Sequence, residues 1–280
     1  VAAASPIHSS GFAAAAARGY PVQMNSVPAT LPTGEIVRRL NDAPPAALLA
    51  HTSTLVLLAR EQHAGRLHIS PHAITAISEL LTAEDRTAIR DAFGVPPASQ
   101  FVSTEGLAGC TQPGGAAMRF ATDMCIVELV DARNQPVTDG TASAKVLLTN
   151  LHNRTQPLIR YELTDRFIRH PAAGDPYLHA AVEGRADETF RYGTVTIDAL
   201  VLRAVMVRTP SVTEYQVRQT DHGIDAAVVA DGTLDHAALA SALRQSLHAA
   251  GLREPSVHVH EVADIARHPQ TGKTRRFIAR

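Results

Sequence analysis

Thr104 and Glu105, within Phe101-Val102-Ser103-Thr104-Glu105-Gly106, set a hydroxyl beside a carboxylate. A threonine hydroxyl can donate to a phosphate oxygen, and a glutamate suits Mg²⁺, whose oxygen ligands are commonly shared with substrate phosphates. The plainer reading of that run is a polar loop with a helix cap. A second run ends in Tyr161-Glu162-Leu163-Thr164-Asp165. An aspartate at a strand end can accept hydrogen bonds from the paired hydroxyls of a ribose. The alternative for Asp165 is a turn residue paired with Arg160 or Arg166. The third run is Glu183-Gly184-Arg185-Ala186-Asp187, which also reads as a linker turn with a salt bridge. The fourth, Thr271-Gly272-Lys273-Thr274, holds one of only two lysines, Lys145 and Lys273, among 26 basic residues. A flexible ammonium there is not interchangeable with a planar guanidinium. The triplet is not a P-loop, which would need glycine at 267, where Arg267 stands. A solvated basic tail is its plain reading.

His258 and His260 are two apart on a predicted strand, share one face and could bind a metal. No carboxylate or third histidine stands at a convincing spacing, so a surface pair is expected. There is no G-x-S-x-G elbow, and Cys110 and Cys125 have no catalytic partner motif.

The elements that must position these residues alternate. Ala47–Ala50 reads as a buried strand, Leu55–Ala64 as a helix ended by Gly65, Arg66–Ile69 as a short strand, and Ala73–Ile77 as another. Thr82 caps a helix with Glu84 and Asp85 in its first turn, Ile89 and Phe93 on its inner face, and Gly94 at its close. This is an α/β layer. Residues 100–170 are β-rich and predict a small antiparallel sheet or barrel, with turn residues at Asn134–Gly140. Beyond Gly184, strands at Val212–Gln219, Ile224–Val229 and Val257–Val262 flank a helix marked by Leu239, Leu243 and Leu247, a compact α+β unit. A chain of 280 residues with 45% hydrophobic and 19% charged residues can bury sizeable cores. A net charge of −1 argues against nucleic acid as partner. Two cysteines make no disulfide framework, so a reducing, cytoplasmic setting is expected. The longest apolar stretch, Ala46–Ala59, is interrupted by His51-Thr52-Ser53-Thr54, so no membrane span is expected.

Together and in this order, the four runs resemble the adenylate-forming superfamily, most closely its phenylacetate-CoA ligase-like branch. The resemblance takes in AISELLT at 76–82, FVSTEG at 101–106, IVELVD at 126–131, VLLTNLHNRTQPLIRYELTD at 146–165, EGRAD at 183–187 and TGKTRRF at 271–277. It implies an α/β fold. Residues 1–184 would be the later part of the large adenylate-forming domain, an α/β layer plus small β-barrel. Residues 188–280 would be the small mobile α+β C-terminal domain, with a hinge near 184–187. The implied reaction joins a small carboxylic acid to ATP as an acyl-adenylate, with Mg²⁺. The acyl group then passes to a thiol of CoA or a carrier protein. Phe101 would stack on adenine, where the family commonly has Tyr, and Ser78 and Glu79 would line the adenine edge. Thr104 would contact the α-phosphate and Glu105 would hold Mg²⁺. Asp165 would bind the ribose hydroxyls with Arg185 nearby, Asp187 would be the hinge, and Lys273 would be the adenylation lysine.

Two departures qualify that picture. The superfamily's Ser/Thr/Gly-rich phosphate loop followed by Lys has no match; Ser9-Ser10-Gly11 lacks the further glycine and the lysine. The chain is therefore expected to be a C-terminal portion of such a ligase. The alternative is a catalytically incomplete relative that keeps the fold as a binding or partner module. Some relatives carry a cysteine-rich metal site between the domains; His170–Asp175 has no cysteine, so no zinc is expected there. Neither a nucleic-acid nor a membrane partner is expected, and a homodimer is left open.

Overall fold

The computed structural model describes residues 25–29, 31–171, 174–185, 189–207, 209, 211–267 and 274–280. The chain divides into two units, one ending at Ala186, the other starting at Asp187 and including Thr274–Arg280. Among the described residues no helix is long and apolar enough to cross a membrane.

In the first unit, α1 (Thr33–Asp42) turns Ile36, Val37 and Leu40 inward. Then β1 (Ala47–His51) and β2 (Ala73–Ile77) pair in parallel, as do β2 and β3 (Ala98–Val102). Parallel neighbours need crossovers, and these are α2 (Thr52–His63) and α3 (Ala83–Phe93). Leu55, Leu58 and Ala59 of α2 and Ile89 and Phe93 of α3 share a core with Leu48, Ala50, Ile74 and Ala76 of the strands. The start of α3 is written locally. Thr82 accepts the Asp85 backbone N–H at 3.3 Å, and the Asp85 carboxylate reaches back to the Thr82 N–H at 3.4 Å, a reciprocal capping box.

The strand expected at Arg66–Ile69 is absent; the chain there is irregular. Leu67 and Ile69 are buried, as their alternation suggests, but no neighbouring strand takes up their backbone. The Glu61 carbonyl, which accepts the Arg66 and Leu67 N–H groups, and two side-chain amides do so instead. Asn41 accepts the His68 N–H and donates to the Arg66 carbonyl, while Gln62 does the same for Ile69. Satisfied backbone groups, not a ladder, are the physical requirement for a buried segment.

After β3 the sheet continues antiparallel through β4 (Ala108–Thr111) and β5 (Met118–Phe120) to β10 (Leu178–Arg185) and β9 (Asp165–His170). The β-rich middle is therefore only partly a separate sheet. That sheet is β6 (Cys125–Val130), β7 (Lys145–Asn150) and β8 (Tyr161–Leu163), all antiparallel. Ser143 links the two sheets: its N–H donates to the Phe167 carbonyl and its Oγ accepts the Phe167 N–H. Leu107, Phe120, Leu129, Val146, Leu148 and Phe167 form their common core.

The second unit opens with a hairpin, β11 (Thr189–Tyr192) and β12 (Val195–Asp198), followed by α4 (Leu200–Val207). Its four-stranded sheet runs β15 (Ser256–Glu261), β14 (Gly223–Ala230), β13 (Val212–Gln219), β16 (Phe277–Ile278). Gly223 opens β14 where a Cβ would collide with the Ser256 backbone, so the close start of that pairing needs glycine. The helix α5 (His236–Ala249) buries Leu239, Leu243 and Leu247, one face at every fourth residue, against Val217, Ile224, Ala226 and Val228. With those alternate strand residues buried, Arg218, Asp225, His258 and His260 fall on the opposite face of the sheet.

Candidate active site

Because β1, β2 and β3 are parallel neighbours, their C-terminal ends lie along one edge, where open α/β sheets bind ligands. Three polar turns meet that edge. After β1 come Thr52 and Ser53, the buried first residues of α2. After β2 comes Ser78, held at φ +62, and then Glu79. After β3 comes the Ser103–Gly106 turn.

Glu79 has a defined structural task. Its carboxylate accepts the Ser53 backbone N–H at 2.7 Å and the Ser53 hydroxyl at 3.0 Å, and its carbonyl accepts the Thr52 hydroxyl at 3.2 Å. The helix start has no side-chain cap of its own, and Glu79 supplies one from the loop after the next strand. An anion there also suits the positive end of the helix. Sequence reading missed Thr52 and Ser53 as members of this edge. The signal was the polar interruption His51-Thr52-Ser53-Thr54, which counted only against a membrane span.

The β3–β4 turn is tightly closed. Ser103 N–H donates to the Leu107 carbonyl at 2.8 Å, Gly106 N–H to the Ser103 carbonyl at 3.2 Å, and Leu107 N–H to Ser103 Oγ at 3.3 Å. From the end of β7, Asn150 Nδ2 donates to the Glu105 carbonyl at 2.7 Å. Gly106 sits at φ +110, and a Cβ there would collide with Asn150 Nδ2, so this position admits glycine on both counts. The turn leaves Thr104 exposed and Glu105 half-buried, with the Thr104 hydroxyl 3.4 Å from Glu105 Oε2. One hydroxyl and one adjoining carboxylate fit Mg²⁺, which usually takes one or two protein carboxylates and fills its shell with phosphate oxygens and water.

Phe101 joins this turn to the far strands. Its ring lies edge-on to Phe120 at 5.9 Å and to Phe167 at 5.4 Å, and the latter two stack at 5.0 Å. Phe101 remains half-exposed, so an adenine-sized ring has an aromatic surface to meet. Two residues before Phe167, Asp165 begins β9, and its register partner on β10 is Arg185. Two runs 20 residues apart thus meet as one cross-strand pair. Glu183–Arg185 completes a strand, Arg160 bonds Glu128, and Arg166 forms an ion pair with Glu183 at 3.4 Å. The first unit therefore brings together Phe101 on β3 with Thr104 and Glu105 on the turn after it, Ser78 and Glu79 on the neighbouring turn, and Asp165 with Arg185 across one ladder. Asp187 and Lys273 lie outside the described residues.

No family model matches the sequence, and no curated protein matches it. Solved structures do. A 2-hydroxyisobutyryl-CoA ligase in the postadenylation state, complexed with R3-HIB-AMP, superposes with a TM-score of 0.68 at 18% identity over 89% of this chain and 57% of its own. An anthranilate CoA ligase in complex with anthranoyl-AMP gives 0.64 at 15% identity, over 90% and 52%. A benzoate CoA ligase from Burkholderia xenovorans LB400 gives 0.61 at 20% identity, over 88% and 53%. The α/β fold is thus shared with the C-terminal part of adenylate-forming ligases. The chain spans little more than half the length of these structures.

Proposed function

We propose that the chain is the C-terminal portion of an acyl- or aryl-adenylate-forming ligase of the phenylacetate-CoA ligase-like branch. It serves ATP-dependent activation of a small carboxylic acid and passage of the acyl group to a thiol of CoA or a carrier protein. The observation that carries this reading is the Thr104-Glu105 turn at the C-terminal end of β3, linked through Phe101 and Phe167 to the Asp165–Arg185 pair. Support also comes from proteins of the same fold, one of which was solved with 2-HIB-AMP and CoA.

In this reading a substrate carboxylate oxygen attacks the α-phosphorus of ATP and pyrophosphate leaves. Charge grows on the phosphoryl oxygens in such a displacement, and catalysis consists of placing donors and cations where it grows. The Thr104 hydroxyl donates to the α-phosphate. Glu105 holds Mg²⁺, which when bound neutralises phosphate charge. Phe101 offers its half-exposed ring to adenine, Ser78 and Glu79 border the base, and Asp165 accepts from the ribose hydroxyls with Arg185 beside it. The Asn150 and Gly106 contacts fix the turn, so Thr104 and Glu105 need no reordering on binding. Lys273 supplies the cation for adenylation, and Asp187 is the hinge.

Binding of AMP and of a non-hydrolysable acyl-adenylate mimic to this chain tests the site by calorimetry. Glu105→Gln should weaken Mg²⁺-dependent ATP binding at least about tenfold, and Asp165→Asn should weaken AMP binding by a similar factor, each about 1.4 kcal/mol. In the intact enzyme, Lys273→Ala should abolish acid-dependent pyrophosphate exchange and largely spare thioester formation from preformed adenylate. Equal loss in both half-reactions would sink the role given to Lys273. A folded chain that binds neither AMP nor the mimic would remove the ligase reading in favour of a partner module.

A further inference from the structure

We propose that Asp225, His258 and His260 form a binding site for a Zn²⁺-class divalent ion on the solvent-facing side of the second unit's sheet. The sequence offered only the histidine pair; the missing carboxylate comes from the neighbouring strand. Asp225 is the register partner of His258 in the parallel β14–β15 ladder, and His260, two residues on, points to the same face. Its own partner is Ala227, too small to obstruct. The His258 Nδ1 lies 2.9 Å and the His260 Nδ1 3.2 Å from the same oxygen, Asp225 Oδ1. All three ligand atoms fall within 4.8 Å of one another. Tetrahedral Zn²⁺ with bonds near 2.0–2.1 Å needs its ligand atoms roughly 3.3 Å apart, so small side-chain rotations suffice.

His260 Nδ1 adds a second observation. The atom is shielded from solvent and makes no hydrogen bond, although Asp225 Oδ1 lies 3.2 Å away. A shielded ring nitrogen that forms no hydrogen bond is costly, and a metal ion would satisfy its lone pair. The rings lie 5.3 Å apart and 26° from parallel, which lets both Nδ1 atoms face Asp225. His258 is 73% exposed and Asp225 37%, so water can complete the shell. Two imidazoles and one carboxylate select Zn²⁺ and its first-row neighbours over Mg²⁺ or Ca²⁺, which favour oxygen cages. Arg218, the register partner of Asp225 on β13, donates no ligand and moderates the affinity by its charge.

The test uses the full chain without a histidine tag, titrated with Zn²⁺ in competition with a chromophoric chelator and with Co²⁺ by visible absorption. The expected result is one ion per chain, with the Co²⁺ spectrum of a nitrogen–oxygen site of low coordination number. His258→Ala, His260→Ala and Asp225→Asn should each weaken binding at least about tenfold, whereas His248→Ala on α5 should leave it unchanged. Circular dichroism checks folding, and His258→Gln, which keeps a polar side chain of similar reach, should behave as His258→Ala. Undiminished binding in the folded His258→Ala/His260→Ala double variant would overturn the site. So would wild-type affinity weaker than millimolar.

Discussion

The two crossover helices of the first unit begin in opposite ways. The α3 start is self-sufficient: Thr82 and Asp85 cap each other across three residues, Glu84 and Asp85 favour the helix dipole, and the helix begins where the sequence says it should. The α2 start has no side-chain cap and no acidic residue in its first turn. Its Ser53 N–H is satisfied by Glu79, 26 residues downstream, which arrives only when β2 has paired with β1. Local capping lets a helix start form alone, whereas capping at a distance makes the helix start, the loop after β2 and the sheet edge one cooperative object. That edge is where the proposed nucleotide site lies.

The largest expected effect extends the non-local class to the third turn. Gly106→Ala would place a methyl group against Asn150 Nδ2 at a φ of +110. It should cost at least about 3 kcal/mol in denaturant unfolding, from backbone strain plus overpacking. Asn150→Ala, which removes both the obstruction and the bond to the Glu105 carbonyl, should make the glycine substitution less damaging. Additive losses in the double variant would mean that the two residues do not act together.

The comparison between the two helices can then be broken directly. Glu79→Ala should destabilise by about 2 kcal/mol, because a charged acceptor is lost from a buried N–H and a buried hydroxyl. Thr82→Ala should cost about 1 kcal/mol, an ordinary cap loss. Glu79→Gln should retain part of the difference. A larger loss for Thr82→Ala than for Glu79→Ala, read from denaturation midpoints at constant m, would reverse the ranking on which the argument rests.

The same contrast explains what could be read in the chain. The α3 cap, Ile89, Phe93 and the Leu239-Leu243-Leu247 stripe were legible because each is a pattern within one element. β2 was predicted at its observed bounds for the same reason. Arg66–Ile69 misled because alternation reports which side chains are buried, not what bonds the backbone; Asn41, Gln62 and the Glu61 carbonyl did so here. The β-rich middle was seen, but its strands β4, β5 and β9 join the parallel sheet, a matter of long-range pairing. The Asp165–Arg185 pair and Asp225 beside His258 depend on strand register, which a single sequence does not display.

The smallest effect separates the two units by pH. In the first, His179 and then Arg119 beside Asp175 hold its carboxyl at about 2. A depressed folded pKa favours the native state above the unfolded value, near ~4, and that contribution is lost as pH falls toward about 2. In the second, burial pushes the Tyr192 hydroxyl up to about 12 while it donates to the Gly223 carbonyl at 2.6 Å. Here the native state keeps its proton after the unfolded chain has begun to lose it. The contribution is complete below pH ~10 and disappears as pH rises through about 12. Urea midpoints across a pH series should therefore show an acid limb that Asp175→Asn flattens and an alkaline limb that Tyr192→Phe flattens. Each substitution should leave the other limb in place. Because Asp175 is a surface group, its limb should also shrink in high salt, whereas the Tyr192 limb, set by burial, should not. If Tyr192→Phe left the alkaline limb unchanged, the hydroxyl would be titrating freely in the native state and its bond to Gly223 would not be holding the start of β14.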